Sequence, residues 1–487
     1  MMQFEPVIGL EIHAQLLTRS KIFCGCSTAF GSPPNSQTCP VCLGLPGALP
    51  VLNRQAVNMA VRAALALGCR INQTSLFARK NYFYPDLPKG YQISQYELPL
   101  AEQGVVELGL QPGDEKGRKE IRRFRIHRIH LEDDAGKSIH APGGVTYVDL
   151  NRTGVPLIEI VTEADFRSAR EAAEFMAYLR QLLLYLQVCD GNMEEGSLRC
   201  DANVSVRPVG ATEFGTKAEI KNLNSFRFLR RALEYEIDRQ VQVLSSGGRI
   251  VQETRLWDET GQKTVAMRSK EEAHDYRYFP EPDLLPLVVD DAWLDELKGT
   301  IPELPEARRQ RFEREYALEP SVAELLTQDR AFADYFEAAV GAYREPIKIA
   351  NWMIGDLTRE LKREGRHIGD GRIRPEHLAE LVRLVEEGAI SGKIAKDIFV
   401  KMYESGESAG RIVEAEGLRQ ISSEADLVEV VERVLRSNPD KVVGYRSGKK
   451  GLLGFFVGQV MRETKGQANP QLVNQLLLER LENGFVC

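Results

Sequence analysis

The pattern of apolar residues changes near residue 292, and this change constrains the fold more than any other feature of the sequence. Before it, apolar and polar residues alternate, as over residues 8–13 and 198–207, which is typical of strands with one buried face. After Asp291, apolar residues recur every three or four positions, as over residues 378–385, which is typical of amphipathic helices. The sequence therefore predicts a strand-rich part followed by a helical part.

The strands and helices of the first part follow no repeated order, which indicates an α+β fold with a mixed, largely antiparallel sheet. Ser168 and Glu171 have the spacing of a capping box, and a second helix is predicted from about Ser225. Residues 279–286 are rich in proline and are predicted to lead into the helical part. We predict a first domain over residues 1–292, followed by two small all-α domains at 293–404 and 405–487.

Three helix starts are predicted in the helical part. Pro375 suits the first position of a helix, Ser391 is typical of an N-cap, and Asn469 followed by Pro470 combines both signals.

Charge and hydropathy exclude two broad classes of protein. The 487 residues include 63 Lys and Arg against 70 Asp and Glu, so the net charge is −7, which argues against a generic binder of polyanions. The N-terminus lacks the basic start of a signal peptide, and no run approaches the roughly 18 apolar residues of a membrane span. We expect a soluble, cytoplasmic protein with no membrane partner, and any nucleic-acid contact must come from local basic patches.

Four of the eight cysteines form two close pairs, Cys24 with Cys26 and Cys39 with Cys42. This spacing allows two turns to close a tetrahedral zinc site, and four thiolates leave no position open for water, so the zinc would be structural. The alternative is a group of surface cysteines, reduced or disulfide-bonded.

Carboxylates and one histidine suggest a second, chemical site. Glu11 and His13 are two apart on one predicted strand, so they share a face. Glu132 and Asp133 stand in a run of three carboxylates, and Glu159 interrupts an apolar run, where an unpaired carboxylate would be costly to bury. Carboxylates with one imidazole suit Mg²⁺, a hard cation that often works with phosphate oxygens. A lone histidine on a strand is more often structural.

Polar side chains on two further predicted strands are candidates for binding nucleotide phosphates. They are Arg199, Asp201, Asn203, Lys217 and Lys221. A solvated polar face is the alternative, and the spacing alone favours it.

Several longer motifs, in the same order along the chain, resemble the B subunit of the aspartyl/glutamyl-tRNA amidotransferase family. They are VIGLEIHAQL from residue 7, KNYFYPD from 80, GYQISQ from 90, LEDDAGKS from 131, VDLNRTGVPLIEIVTE from 148, EEGSLRCDANVS from 194, TKAEIKNLNS from 216, DYRYFPEPDLLPL from 275 and KGQANPQLVNQLL from 465. The resemblance extends over essentially the whole chain.

This resemblance implies one member of a three-subunit enzyme. In the family, the B subunit phosphorylates with ATP the side chain of a Glu or Asp that is misacylated onto tRNA(Gln) or tRNA(Asn). Ammonia then displaces the phosphate. The amidase (A) subunit releases this ammonia from glutamine, and the small (C) subunit binds both larger ones. An acyl phosphate explains the need for Mg²⁺ and for the exclusion of water.

The resemblance also implies roles for individual residues. The Mg²⁺ ligands of the family fall on His13, Glu132 and Glu159, with Glu11 beside them. Lys80, Tyr82 and Lys89 fall near the reacting end of the substrate and the mouth of the ammonia channel. Asp133 stands where some relatives carry Glu and has an expected role in gating or deprotonating ammonia. The resemblance further implies a catalytic domain similar to glutamine synthetase.

In the family, the tail domain holds the tRNA elbow, and the basic residues that could serve this role here are Lys441, Arg446, Lys449 and Lys450. A solvated loop is the other reading of these residues. Two alternatives to the enzyme remain from the sequence: a zinc-knuckle tRNA-binding scaffold without its own catalysis, and a free-standing carboxylate-amine ligase that acts on small molecules.

Overall fold

The structure is a computed structural model that describes residues 3–110, 120–267, 276–418, 424–464 and 467–482. The chain forms two compact units, residues 1–304 and 305–487. The strand-rich part followed by the helical part that the sequence predicts is confirmed. No helix of the described residues combines the length and the apolar character needed to cross a membrane.

The first unit contains sixteen short or long strands among its described residues. They are β1 Phe4–Gln15, β2 Arg70–Ile71, β3 Thr74–Ser75, β4 Ala78–Asn81, β5 Tyr91–Ser94, β6 Ala101–Leu110, β7 Glu120–Asp133, β8 Lys137–Ala141, β9 Val145–Asp149, β10 Pro156–Thr162, β11 Leu198–Pro208, β12 Ala218–Lys221, β13 Glu253–Asp258, β14 Lys263–Ala266, β15 Phe279–Pro280 and β16 Leu287–Val288. Its helices are α1 Arg54–Ala66, α2 Ala169–Tyr185, α3 Phe226–Ser245 and α4 Asp291–Gly299.

One nine-stranded sheet dominates this unit, in the order β14-β13-β12-β11-β1-β10-β7-β6-β2. Within the described residues, all of its neighbouring strands are antiparallel except β12 and β13. The largely antiparallel sheet expected from the sequence is therefore confirmed. Smaller sheets are formed by β15-β4-β5, by β16-β3 and by β8-β9.

The two faces of the central strand β1 have different environments. Ile8, Leu10 and Ile12 are buried in an apolar core that also contains the apolar residues of α1, α2 and α3. Because side chains alternate along a strand, Glu11 and His13 lie on the opposite face. One face of the sheet thus supplies the core, and the other presents polar side chains.

The predicted helix starts of the first unit agree with the structure. The Ser168 hydroxyl accepts a hydrogen bond from the backbone N–H of Glu171, and the Ser225 hydroxyl accepts one from Phe228. Each bond satisfies one of the donors that a helix leaves open at its first turn.

The second unit is helical throughout its described residues. Its helices are α5 Pro305–Glu315, α6 Pro320–Leu326, α7 Arg330–Ala342, α8 Pro346–Trp352, α9 Thr358–Glu364, α10 Pro375–Glu386, α11 Gly392–Ser405, α12 Ala409–Glu416, α13 Glu424–Arg436, α14 Pro439–Arg446, α15 Leu452–Glu463 and α16 Pro470–Glu482, with a π-helical turn at Met353–Leu357 and a 3₁₀ turn at Ile368–Asp370. The starts predicted at Pro375, Ser391 and Asn469 are confirmed.

Two separate apolar clusters occur in the second unit, one between Phe312 and Val413 and one between Leu427 and Leu481. The first unit extends to Leu304 because Trp293 of α4 lies against α1, where its indole N–H donates to Asn58 at 2.8 Å. The division into three domains at residues 292 and 404 stays a prediction.

Candidate active site

Three neighbouring strands bring two histidines and two carboxylates together on the polar face of the large sheet. His13 on β1 lies opposite Glu159 on β10, and Glu159 lies opposite His130 on β7. Glu132 follows two residues after His130 and therefore lies on the same face. His13 Nε2 is 3.5 Å from Glu132 Oε1 and 3.4 Å from Glu159 Oε2.

The donor atoms of this cluster fit a divalent cation. One donor atom each from His13, Glu132 and Glu159 lies within 4.8 Å of the others. Two carboxylates and one imidazole are donors that Mg²⁺ and Mn²⁺ accept. The Ser94 hydroxyl donates to Glu132 Oε2 at 3.3 Å and helps fix that carboxylate. The predicted metal ligands are thus brought together by the fold.

Burial and opposite charge act against each other in this cluster. Burial raises the pKa of both carboxyls, but the histidines lower it by more, so the pKa of Glu132 is lowered and that of Glu159 lies well below its usual range. Burial opposes a charge on His13, yet its hydrogen bond to Glu159 and the nearby carboxylates raise its pKa. The two carboxylates are therefore held ionised, as metal ligands must be.

His130 belongs to this cluster, although it was not among the site residues expected from the sequence. It is 3% exposed, and its Nε2 is 3.2 Å from Glu159 Oε2 and 3.7 Å from Glu132 Oε2. Burial alone would lower the pKa of His130, but the charge of Glu159 and hydrogen bonds to both carboxylates raise it to about 9. The signal available in the sequence was its spacing of two residues from Glu132.

Lys80 and Tyr82, which are expected from the resemblance to lie near the reacting end of the substrate, are beside the carboxylates. Lys80 Nζ is 4.9 Å from the centre of the Tyr276 ring. Burial opposes its charge, but Glu132 and Glu159 raise its pKa. Burial, with Glu132 next, raises the pKa of the Tyr82 phenol. Lys80 is therefore a fixed positive charge at the cluster.

Asp133 points away from the metal cluster and binds a lysine. Its carboxylate pairs with the ammonium of Lys89 and accepts a hydrogen bond from the backbone N–H of Ile93 at 2.7 Å. Burial raises its pKa despite the charge of Lys89.

Glu11, by contrast, remains on the metal-cluster face, where it accepts a hydrogen bond from Asn203 at 2.9 Å. Burial, together with the charge of Glu159, raises the pKa of Glu11.

Four of the five residues predicted to bind nucleotide phosphates already have partners on this face. Arg199 donates to both oxygens of Asp134 at 3.1 and 3.2 Å. Lys221 pairs with Asp201 at 3.0 Å and with Glu219 at 2.9 Å. Lys217 precedes β12 and is exposed. The fold brings Arg199, Asp201, Asn203 and Lys221 to one face, but as a network of internal pairs.

The four cysteines of the predicted zinc site come together in a separate cluster. One Sγ atom from each lies within 4.8 Å of the others, and the described cysteines form no disulfide. The backbone N–H of Cys39 donates to Cys42 Sγ at 3.2 Å. The fully buried Lys21 donates from Nζ to Gln37 O at 2.7 Å and reaches Cys42 Sγ at 3.6 Å. This donor set fits a tetrathiolate zinc site.

A cavity of about 200 Å³ lies between the four-cysteine cluster and the Lys89–Asp133 pair. Its wall includes Gly44, which follows Cys42 with a φ of +67°. A Cβ atom at Gly44 would overlap Lys89 Cγ and lie 3.1 Å from Lys89 Cα. The turn after Cys42 therefore packs directly on the lysine that binds Asp133.

Three of the four basic residues predicted to contact tRNA make local contacts. Lys441 Nζ lies 3.2 Å from the centre of the Phe455 ring. Arg446 donates to Leu481 O at 3.1 Å, and Lys450 pairs with Glu482 at 3.2 Å. Lys449 is exposed.

Comparison with known protein families gives two matches. A family model described as the GatB/GatE catalytic domain matches residues 6–295, and a model described as the GatB domain matches residues 334–481. The chain belongs to the GatB family. The first of these models covers more than half of the chain and contains both clusters described above.

Relatives within the GatB family extend over the full length. The B subunit of aspartyl/glutamyl-tRNA(Asn/Gln) amidotransferase from Thermodesulfovibrio yellowstonii is 56% identical over 481 residues, which is 99% of this chain and 100% of the relative. Proteins of the same name from Nitratidesulfovibrio vulgaris and Carboxydothermus hydrogenoformans are 57% and 53% identical, each over 99% of this chain and 100% and 99% of the relative. Membership of a catalytic family does not favour a tRNA-binding scaffold without catalysis.

Proposed function

We propose that this chain is the B subunit of a tRNA-dependent amidotransferase, with an amidase (A) subunit and a small (C) subunit as its partners. The complex would be an ATP-dependent carbon–nitrogen ligase that uses glutamine as the nitrogen donor. It would convert Glu-tRNA(Gln) or Asp-tRNA(Asn), in the cytoplasm. The observation that carries this proposal is the cluster of His13, Glu132 and Glu159 beside Lys80, on one face of an antiparallel sheet.

The reaction needs a carboxylate to become a better acyl donor. The side-chain carboxylate of the misacylated amino acid attacks the γ-phosphorus of ATP, and ADP leaves. Ammonia then attacks the acyl carbon, and inorganic phosphate leaves. In both steps negative charge gathers on oxygens that lie in a water-poor site, where fixed positive charges stabilise it best.

The proposal assigns a role in these steps to individual residues. His13, Glu132 and Glu159 would hold Mg²⁺, which when bound neutralises phosphate oxygens. The half-buried Lys80, kept charged by Glu132 and Glu159, would bind an anionic group of the substrate or of ATP. Asp133, which pairs with Lys89 beside the cavity, would gate or deprotonate ammonia before it reaches the acyl carbon.

Further parts of the chain have supporting roles in this proposal. Glu11 and Tyr82 shape the site on either side of the cluster. The residues proposed to contact ATP remain those named from the sequence: Arg199, Asp201, Asn203, Lys217 and Lys221. Cys24, Cys26, Cys39 and Cys42 would bind a structural Zn²⁺, and Lys441, Arg446, Lys449 and Lys450 would contact tRNA. The similarity to glutamine synthetase stays part of the proposal.

Amidation by the reconstituted complex tests the function. With ATP, glutamine and misacylated tRNA, the wild-type complex is expected to form Gln-tRNA or Asn-tRNA and to release phosphate. Glu159→Gln should lower this rate by at least about 100-fold, because it removes a metal-ligand charge. The matched control is Glu163→Gln, since Glu163 lies just beyond β10, its side chain is 40% exposed, and it pairs only with His127 among the described ion pairs. Near-normal turnover of Glu159→Gln would contradict the assignment.

A further inference from the structure

One arginine on the polar face of the sheet differs from its neighbours. Arg199 and Arg152 both have ion pairs with Asp134, at 3.1 and 3.6 Å. Arg128 on β7 has no ion pair within the described residues, and its Nε atom is buried without a hydrogen-bond partner there. A buried guanidinium nitrogen without a partner is costly, and an anion bound by the rest of the guanidinium would offset that cost.

Stacked tyrosines lie next to this arginine. The rings of Tyr96 and Tyr278 are 4.2 Å apart with an interplanar angle of 8°, and the guanidinium carbon of Arg128 is 5.8 Å from the centre of the Tyr96 ring. Tyr96 is 47% exposed, although Gln95 before it is buried and hydrogen-bonded to Leu131 N at 3.0 Å. An exposed aromatic ring on a fixed backbone is a surface on which a base can stack.

The tyrosines also connect Arg128 to the metal cluster. The charges of Lys80, Glu132 and Glu159, as well as that of Arg128, act on the Tyr278 hydroxyl. Arg128 and Glu132 are four residues apart on the same face of one strand, which at the rise of a strand is about 13 Å. A nucleotide in an extended conformation has a comparable length.

We propose that Arg128, Tyr96 and Tyr278 form a subsite for an adenosine nucleotide, in which Arg128 binds a phosphate oxygen and the tyrosine pair supplies ring surface for the base. The nucleotide extends from this subsite along β7 toward Glu132 and Lys80. Arg128 lies on β7, whereas Arg199 and Lys221, whose charges are already paired, lie on β11 and β12. The inference rests on the proposed function, in which two adenosines approach this face: that of ATP and the 3′-terminal residue of the tRNA.

Equilibrium binding to the assembled complex tests the subsite. One arm measures the Kd of radiolabelled ATP in the presence of Mg²⁺. The other arm measures the Kd of a tRNA minihelix that ends in CCA, compared with one that ends in CC. Arg128→Gln and Tyr96→Ala should each raise one of these Kd values at least about 10-fold. A raised Kd for ATP identifies ATP as the occupant, and a raised Kd for the CCA minihelix alone identifies the terminal adenosine.

Two control variants separate binding from folding. Arg123→Gln removes another arginine of β7, but one that is exposed and paired with Glu107 at 2.7 Å, and should change neither Kd by more than twofold. Tyr96→Phe keeps the aromatic ring and should also change neither Kd by more than twofold. The unfolding midpoint of each variant is compared with that of the wild type to show that the variant is folded. Arg128→Lys, which keeps a positive charge, should bind the affected ligand more tightly than Arg128→Gln.

Unchanged Kd values for both ligands in folded Arg128→Gln and Tyr96→Ala complexes would overturn the subsite. Failure of the proposed function has a different signature. In that case the wild-type complex would not amidate misacylated tRNA, although the binding measurements could still be made.

Discussion

Gly44 lies against Lys89 where the cysteine cluster meets the cavity. Its φ of +67° lies in the left-handed region, and the space that a Cβ would need is occupied by Lys89. Lys89 in turn pairs with Asp133. A change at one atom of the turn is therefore transmitted to the ion pair that faces the cavity.

Replacing this glycine should lower the free energy of unfolding by more than backbone strain alone would. Gly44→Ala is expected to destabilise the first unit by roughly 3 kcal/mol, because a left-handed alanine and an overlap with Lys89 add. The control is Gly47→Ala, since Gly47 has a φ of +84° but nothing within 4 Å of the position that a Cβ would take, so only strain of about 1 kcal/mol is expected. Urea unfolding measures the stability of both variants. Equal losses of stability in Gly44→Ala and Gly47→Ala would exclude the contact with Lys89 as a cause.

Strand patterns predicted much of the fold, but not which residues meet. The alternation around His13 placed it correctly on the polar face of β1. The partners of His13 depend on how β1, β10 and β7 pair, and a shift of one residue would have turned Glu159 to the core. His130 and Arg128 were missed for this reason: their role depends on neighbours that are distant in sequence.

At the scale of elements, one buried carboxylate links α3 to the edge strands of the large sheet, in addition to the apolar contacts of the helix with the core. Glu236 of α3 accepts hydrogen bonds from Arg239, from Gln240 and from Thr264 of β14. Arg255 of β13 also lies 3.2 Å from it. Although burial raises the pKa of Glu236, these hydrogen bonds lower it by more.

This lowered pKa gives a pH-dependent contribution to stability. The stabilisation by Glu236 is fully present above the unfolded carboxyl pKa of about 4.3 and is lost as the pH falls through the lower folded pKa. Glu236→Gln should therefore destabilise the chain by about 2 kcal/mol at pH 7. In urea unfolding at several pH values, the difference from wild type should shrink below pH 4.

Glu234→Gln serves as the control for this prediction, because the carboxylate of Glu234 is half exposed and pairs with Arg230 one turn earlier in α3. Exposed ion pairs of this kind contribute little to the stability of the folded protein. If Glu234→Gln lost as much stability as Glu236→Gln, the buried network around Glu236 would not be what stabilises the packing of α3 on the sheet.

At the scale of the whole molecule, each compact unit has its own apolar core. Leu182 is fully buried in the core of the first unit and Phe336 in a core of the second. Where cores are separate, unfolding need not be one cooperative event.

Calorimetry of the chain should therefore resolve more than one transition. Leu182→Ala, which removes buried methyl groups at a cost of about 3 kcal/mol, should lower the midpoint of one transition only. Phe336→Ala should lower a different one. A single transition that both substitutions shift equally would mean that the two units unfold as one.

The paired charges on the polar face have a consequence for how binding responds to salt. Arg199 and Lys221 already neutralise carboxylates of the same chain, so a polyanion that reaches them exchanges one set of partners for another and releases few counterions. The slope of log Kd against log salt for ATP or tRNA should therefore be shallower than the number of cations on the face would suggest, because these paired cations add little to it.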